Sequence, residues 1–151
     1  MPADAAPEAD PGPRPVVWET KIAVVLRDDL LDWQKLNVTA FTVSGIVATV
    51  DDVTGEPYVD CSGNRYLPMF RQPVLVFLAT AAELRTVYER AMRRRVPIAV
   101  YSEALFATNN DEDNRATVRA VAADSLPLVG LALRADRRVV DKIVKGVRLH
   151  P

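Results

Sequence analysis

The amino-acid sequence predicts an α/β fold: a three-layer sandwich with helices on both faces of a four-stranded, largely parallel or mixed sheet, plus a small β-hairpin insertion. Two observations predict this architecture. Short runs that are apolar throughout alternate along the chain with amphipathic helical segments, which is the pattern of strands buried on both faces. The length of 151 residues also fits one domain that buries a core without disulfides or a structural metal.

Composition excludes several classes of protein. No run approaches the roughly 18 consecutive apolar residues of a membrane-spanning helix, and the first residues are not the basic and apolar start of a secretory signal. The single cysteine, Cys61, excludes a disulfide framework, and the single histidine, His150, argues against a multi-histidine metal site. We therefore expect a cytoplasmic protein with no metal or other cofactor and no membrane partner.

The chain divides into a leader, residues 1–19, and one α/β domain, residues 20–151. Five of the eleven prolines lie in the first 15 residues, together with three acids and one arginine. Such a segment cannot bury enough apolar surface to offset its ordering entropy, so we expect the leader to be disordered.

The first strand and the first helix follow the leader. KIAVVLR (21–27) is an apolar run between charged residues and predicts a strand buried on both faces. Along residues 32–50 the apolar positions recur at helical spacing, which predicts a helix whose inward stripe is Leu36, Ala40, Val43, Val47 and Val50. Ser44 and Gly45 in its middle predict a close approach to the sheet or to another backbone.

The middle of the chain predicts a hairpin, a strand and a helix. Glycines and prolines interrupt residues 51–72, and EPYVD, CSGN and RYLPMF (56–70) predict a β-hairpin around a Ser-Gly-Asn turn. PVLVFLAT (73–80) predicts the second strand. AAELRTVYERAMRRR (81–95) predicts a helix with an inward side formed by Leu84, Val87, Tyr88, Ala91 and Met92.

The last third of the chain completes the alternation. PIAVYSE (97–103) and LPLVGLAL (126–133) predict the third and fourth strands. The direction of the fourth strand relative to the others stays open, because a long polar segment precedes it. That segment, residues 107–123, predicts a loop and a short helix capped by Asn110 or Asp111. DRRVVDKIVKG (136–146) predicts a final helix from its periodicity, although its valines leave a strand open.

Ligands of open α/β sheets bind beyond the carboxyl ends of the strands, and the first candidate group there contains Arg27 and Lys35. Lys35 lies in the first turn of its helix, where the helix dipole disfavours a cation, so an anionic ligand would stabilise this end. The alternatives are ion pairs: Arg27 with Asp29, and Lys35 with one of the three nearby aspartates Asp28, Asp29 and Asp32.

The second candidate group follows the third strand. Glu103 ends that strand, where we expect a partly buried carboxylate suited to general-base catalysis; the alternative is an ion pair with Lys35 or Arg115. Amides and a hydroxyl then crowd beside two aromatic rings, Tyr101 and Phe106, and can bind sugar hydroxyls or orient a water. The hydroxyl is that of Thr108, and the amides are those of Asn109, Asn110 and Asn114. The alternative is structural, because threonine and asparagine are also ordinary turn and cap residues.

Two segments resemble a known class of enzyme. KIAVVLRDDL with a following helix that begins near a lysine, and the ending LVGLALRADRRVVDKIVKGVRL, resemble the type 2 peptidyl-tRNA hydrolases of archaea and eukaryotes. WQKLNVTAF, GNRYLPM, RQPVLVF, LFATNNDEDNRATV and VDKIVKG together resemble a bacterial family, domain of unknown function 2000, which is thought to share the fold of those hydrolases. The resemblance covers residues 20–149.

The resemblance implies roles for four residues. Lys35 lies where the hydrolases carry a lysine at the start of the first helix, and Asn37 matches one of their two lysine positions in an alternative register. Glu103 stands where they carry an aspartate after the third strand, and Thr108 lies near their threonine. Where they have a second helix, this chain has the 56–70 hairpin.

Three functions follow from these patterns. The first is a hydrolase of an ester in tRNA or a nucleotide-containing small molecule, with Lys35, Glu103 and Thr108 as catalytic residues. Its substrate-binding residues would be Arg27, Asn37, Asn109, Asn110, Asn114 and Arg115. The second is a non-catalytic protein that binds a small anion or a nucleotide. The third is a homodimeric interaction module, whose interface would be the hairpin side chains Tyr58, Tyr66, Leu67, Met69 and Phe70.

Overall fold

The computed structural model describes residues 12–151. Seven strands form two sheets: β1 (Thr20–Arg27), β2 (Tyr58–Val59), β3 (Arg65–Tyr66), β4 (Val74–Ala79), β5 (Ile98–Ser102), β6 (Leu128–Asp136) and β7 (Arg148–Leu149). Four α-helices accompany them: α1 (Asp32–Thr49), α2 (Ala81–Arg93), α3 (Asp111–Arg119) and α4 (Arg137–Ile143). Within the described part, no helix has the length and apolar character needed to cross a bilayer.

The predicted leader lies partly outside the described residues, since residues 1–11 are not among them. Residues 12–18 form neither helix nor strand. The guanidinium of Arg71 lies 5.9 Å from the ring centroid of Trp18, and the carbonyl of Glu19 accepts a hydrogen bond from the backbone of Arg137. The segment that enters β1 is therefore held against the domain.

The main sheet is mixed and has five strands in the order β5-β6-β1-β4-β7, so the prediction of four strands is wrong. β1 and β4 are parallel, whereas β6 is antiparallel to both β1 and β5. β6 reverses because the excursion after β5 returns the chain to the same edge, where the Glu103 N–H bonds to the Pro127 carbonyl at 2.9 Å. The additional strand, β7, has two residues, too few to give a periodic signal in sequence.

The central strand β1 divides the core into two clusters. Ile22, Val24 and Leu26 pack on the face covered by α1. Ala23 and Val25 point to the other face, where α2 and α4 pack, because successive side chains of a strand alternate between faces. Helices therefore lie on both faces of the sheet, as the uninterrupted apolar run predicted.

Helix α1 uses a different face from the one predicted. Leu36 is 73% exposed and Val47 is 45% exposed, whereas Val38, Thr42 and Ile46 are buried. The predicted stripe is therefore correct only for Val43 and Val50, which pack against the core. Apolar residues lie all round this helix, so its periodicity carries little directional information. The buried Thr42 is accommodated because its hydroxyl donates to the Val38 carbonyl at 2.8 Å.

Two glycines set the distance between α1 and the sheet. A Cβ on Gly130 in β6 would lie 2.5 Å from Cγ1 of Val38, and a Cβ on Gly45 would lie 3.3 Å from the Cβ of Ala99 in β5. The contact at Gly130 would be a clash, so this position requires a residue without a side chain, whereas the contact at Gly45 would be tight and would need Ala99 to shift by a few tenths of an ångström. The close approach predicted for Gly45 is confirmed.

Helix α2 follows its prediction closely. Its amino terminus is capped reciprocally, since the Thr80 hydroxyl accepts from the Glu83 N–H at 3.2 Å and the Glu83 carboxylate accepts from the Thr80 N–H at 3.1 Å. Four of the five predicted inward residues are buried, and the exception is Met92, which is 51% exposed.

The predicted hairpin is confirmed as β2 and β3, in which Tyr58 pairs with Tyr66. Asp60 organises its turn: the carboxylate accepts from the Ser62 and Asn64 backbones, from the Asn64 amide at 3.0 Å and from the Tyr66 hydroxyl at 2.7 Å. These donors stabilise the charged form and lower the pKa of Asp60 to about 2, with the Asn64 amide contributing most. The hydrogen bond from the Tyr66 hydroxyl to Asp60 also raises the pKa of Tyr66.

The low pKa of Asp60 predicts a local pH dependence. Because the pKa falls from 3.8 to about 2 on folding, the turn gains stability above the unfolded value and loses it as the pH falls toward about 2. We expect the carboxyl carbon of Asp60 to titrate by NMR with a midpoint of about 2. Tyr66→Phe should raise that midpoint, Tyr58→Phe should not, and a wild-type midpoint near 3.8 would contradict the assignment.

Candidate functional site

One wall of the candidate site is an exposed face of α1. Trp33, Asn37 and Phe41 are spaced four residues apart, so they lie on the same side of the helix. This side is not the one that packs on the sheet, and it leaves Trp33 57% and Phe41 52% exposed. The spacing was visible in the sequence, but the prediction placed the functional side of α1 only at Lys35 and Asn37.

The opposite wall follows β5. After Ser102 the chain forms a 3-10 helix, Glu103–Ala107, and then the loop that leads into α3. The Thr108 hydroxyl lies 2.9 Å from the Leu105 carbonyl and also contacts Oδ1 of Asn114. These contacts hold the loop against the first turns of α3.

Four aromatic rings connect the two walls. Trp33 meets Phe106 edge-on with 5.7 Å between ring centroids, Phe106 lies 5.0 Å from Tyr101, and Tyr101 meets Phe41 edge-on at 5.9 Å. Only Tyr101 is buried, and this burial raises the pKa of its phenol. The row is therefore anchored at its centre and accessible at its ends.

Between the walls lies a cavity of about 450 Å³, which we call the groove. Its lining residues are Trp33, Asn37, Phe41, Ser44, Tyr101, Leu105, Phe106, Thr108, Asn109, Asn110, Asp111 and Asn114. A second cavity of about 470 Å³, which we call the hollow, adjoins it and shares Phe41, Tyr101 and Asn114 with it. The groove lies near the end of β5, where sheets of this kind bind ligands.

The structure brings together six of the nine predicted site residues. Asn37, Thr108, Asn109, Asn110 and Asn114 line the groove, and Arg115 lines the adjoining hollow. Arg27, Lys35 and Glu103 line neither cavity.

Glu103 points to solvent rather than into a pocket. Its side chain is 60% exposed, so the expectation of a partly buried carboxylate is wrong. The last buried positions of β5 are taken by Tyr101 and Ser102, and Glu103 begins the 3-10 helix instead of continuing the strand. Its ion-pair partner is Arg27, 3.8 Å away, rather than Lys35 or Arg115. Arg27 also pairs with Asp29 at 2.5 Å, as the structural alternative predicted.

Lys35 is separated from the groove by the geometry of α1. It lies two residues from Asn37, and positions two apart on a helix point about 160° away from each other. Among residues 12–151, Lys35 forms no ion pair, so the proposed pairing with Asp28, Asp29 or Asp32 is not found. Lys35 is thus a half-buried cation at the start of a helix, outside the groove.

The amides of the groove differ in their capacity to bind a ligand. Asn110 caps α3: its oxygen accepts from the Asp113 N–H at 2.9 Å, and its nitrogen donates to the Asp113 carboxylate at 2.8 Å. Asn37 donates one bond of 3.5 Å to the Tyr101 hydroxyl, which is long for a hydrogen bond. Asn37 therefore retains an acceptor and a donor in the middle of the aromatic row.

The charges around the groove are few and compensated. Asp111 is the only charged residue in its lining, and it forms an ion pair with Arg115 of the hollow. Within residues 12–151, no cluster of three or more histidine, cysteine or acidic side chains offers a metal site. The arrangement suits a small, uncharged, ring-containing group held by stacking and by amide hydrogen bonds.

Fold and groove together define a mixed α/β domain with a small-molecule-sized cavity beside the end of a strand. Residues 20–151 match the model of a family described as protein of unknown function, DUF2000, and the chain belongs to this family. A solved structure of a protein of unknown function, Atu0240 from Agrobacterium tumefaciens strain C58, is similar to it: 48% identity, a TM-score of 0.87, and coverage of 89% of this chain and all of that one. No curated protein matches the chain.

Proposed function

We propose that the groove binds a nucleoside-containing small molecule and that the protein does not transform it. The observation that carries this proposal is the position of Asn37 between Trp33 and Phe41 on one face of α1. Aromatic side chains stack on any nucleobase, and an asparagine amide offers the adjacent donor and acceptor that pair with a base edge. Asn109 and Thr108 across the groove supply partners for sugar hydroxyls.

The size and charge of the groove also favour this ligand class. Its volume of about 450 Å³ lies within the roughly 300–1,000 Å³ of small-molecule sites. With Asp111 already paired to Arg115, the groove itself carries no uncompensated charge, which suits a neutral base and sugar. Chemistry is disfavoured because the exposed Glu103 and the separated Lys35 do not reach the groove.

The amide of Asn37 provides the test. In calorimetric titrations with the four ribonucleosides, we expect at least one to bind, and Asn37→Ala to weaken its binding about tenfold or more, because a bidentate amide–base pair contributes about 1–3 kcal/mol. Asn64→Ala, which removes an exposed asparagine of the hairpin turn, is the matched control and should leave the affinity unchanged. Absence of binding by all four nucleosides, or equal losses in the two variants, would refute the proposal.

A second candidate is hydrolysis of a tRNA- or nucleotide-linked ester, for which the resemblance to type 2 peptidyl-tRNA hydrolases is the source. The observation that favours it is Lys35, a cation in the first turn of α1 without an ion pair among the described residues. It would bind a phosphate or stabilise an oxyanion, with Glu103 deprotonating water. Release of free tRNA from peptidyl-tRNA by the wild type, and its loss in Lys35→Ala and Glu103→Ala, would establish this candidate over binding alone.

A third candidate is homodimerisation through the hairpin. Four of the predicted interface residues are at least half exposed: Tyr58, Tyr66, Leu67 and Met69. Phe70 is instead partly buried and packs against the core. Such a cluster of exposed apolar side chains is typical of interfaces. Light scattering should give twice the monomer mass for the wild type and a monomer for Leu67→Ser; a monomeric wild type would remove this candidate.

A further inference from the structure

Helix α3 presents a row of three charged residues to the hollow. Asp111, Arg115 and Arg119 are spaced four residues apart, so they lie on one face of the helix, and all three line the hollow. Sequence reasoning identified Arg115 but missed Arg119, although the four-residue spacing was visible.

The charges of this row do not cancel. Asp111 forms its ion pair with Arg115, and within residues 12–151 no carboxylate pairs with Arg119. Two guanidinium groups one turn apart repel each other, and one acid compensates only one of them. The end of the hollow at Arg119 therefore carries an excess positive charge, and an anion bound there would relieve the repulsion.

The hollow adjoins the groove. Its lining includes small and apolar residues, among them Gly45, Ala99 and Val118. Six residues line both cavities: Phe41, Ser44, Tyr101, Leu105, Asp111 and Asn114. A ligand whose ring lies beside Asn37 would thus extend along this shared wall toward α3.

We propose that Arg119, assisted by Arg115, binds the phosphoryl group of this ligand, so that the preferred ligand is a nucleotide rather than a nucleoside. The inference rests on the proposed function for the ring-binding part of the site. Guanidinium groups bind phosphoryl oxygens through charge-assisted, often bidentate hydrogen bonds, and the five donors of Arg115 are not exhausted by one carboxylate. The nucleoside part fixes the orientation of the ligand in the site, and Arg119 makes the site prefer the phosphorylated ligand over the uncharged nucleoside.

The test compares three probes on the full chain: a ribonucleoside that binds, its 5′-monophosphate, and inorganic pyrophosphate. We expect the monophosphate to bind about tenfold more tightly than the nucleoside, a difference of about 1.4 kcal/mol, and pyrophosphate alone to bind weakly. Arg119→Gln should reduce the tenfold ratio to about one and abolish pyrophosphate binding. Arg93→Gln is the matched control, because Arg93 is also an exposed arginine in the last turn of a helix. This variant should keep both the tenfold ratio and the binding of pyrophosphate.

The outcomes separate this inference from the proposed function. Pyrophosphate binding that depends on Arg119, without binding of any nucleoside, supports the phosphoryl site and refutes the nucleoside site. Nucleoside binding with no gain from the phosphate, or an equal effect of Arg119→Gln and Arg93→Gln, overturns the phosphoryl site alone. If none of the three probes binds, both proposals are wrong.

Discussion

Replacing Tyr101 by alanine is expected to lower the free energy of unfolding by about 3–5 kcal/mol, the range for deleting a buried aromatic side chain. Tyr101 is 4% exposed, and its ring contacts both Phe41 and Phe106. The same change would separate the two walls of the groove, so ligand binding should be lost together with stability.

Two further variants make this result interpretable. Tyr101→Phe retains the ring and removes only a hydroxyl whose hydrogen bond to Asn37 is 3.5 Å long, so we expect stability to stay within about 0.5 kcal/mol of the wild type. Tyr58→Ala removes a tyrosine that is 50% exposed and should also cost little. Urea denaturation measures all three variants. Equal losses for Tyr101→Ala and Tyr58→Ala would show that Tyr101 is not a core residue.

The Gly130→Ala variant is expected to lose about 1–3 kcal/mol of stability through overpacking. The new Cβ would lie 2.5 Å from Cγ1 of Val38 and 3.2 Å from the backbone oxygen of Val25. The β1 backbone cannot move without disturbing its hydrogen bonds on both sides, so α1 must shift away from the sheet. Because α1 carries one wall of the groove, we expect weaker ligand binding as well as lower stability.

A double-mutant cycle identifies the clash as the cause. In a Val38→Ala background the contacted methyl group is absent, so Gly130→Ala should cost less there than in the wild type, by about 0.5–3 kcal/mol. Gly55→Ala is the control, since its Cβ would lie 3.4 Å from Cγ of the flexible Arg71 side chain, and it should be nearly neutral. Additive effects of the Gly130 and Val38 changes would refute the steric explanation.

Much of the fold could be predicted because its signals are local. KIAVVLR gave a buried β1 and the Thr80–Glu83 pattern fits the observed start of α2, because strand alternation and helix capping depend on neighbouring residues. The orientation of α1 could not be predicted, since Val38, Thr42 and Ile46 are no more apolar as a set than the exposed Leu36 and its neighbours. Which set is buried depends on the strands above which the helix lies.

Part of the candidate site could also be predicted, because the polar residues after β5 are a local signal. The rule that ligands bind near strand ends located the segment after β5, in which the loop contributes Thr108, Asn109 and Asn110 to the groove and α3 contributes Asn114. It grouped them with Lys35 and Glu103, which share that edge but not that cavity. Trp33 and Phe41 were missed because aromatic residues on a helix usually indicate core, and only the position of α3 shows that these two face a ligand-sized space.

The sequence by itself determined the α/β class, the strands β1, β4, β5 and β6, and the chemistry available after β5, because each depends on periodicity or residue type within a few positions. Only the tertiary structure decided the fifth strand, the buried face of α1, and the position of the groove beside Asn37 rather than beside Lys35. The physical reason is that the partner of a side chain depends on contacts between segments far apart in sequence. Val38 in α1 packs directly against Gly130 in β6, for example, and no local pattern encodes this close approach.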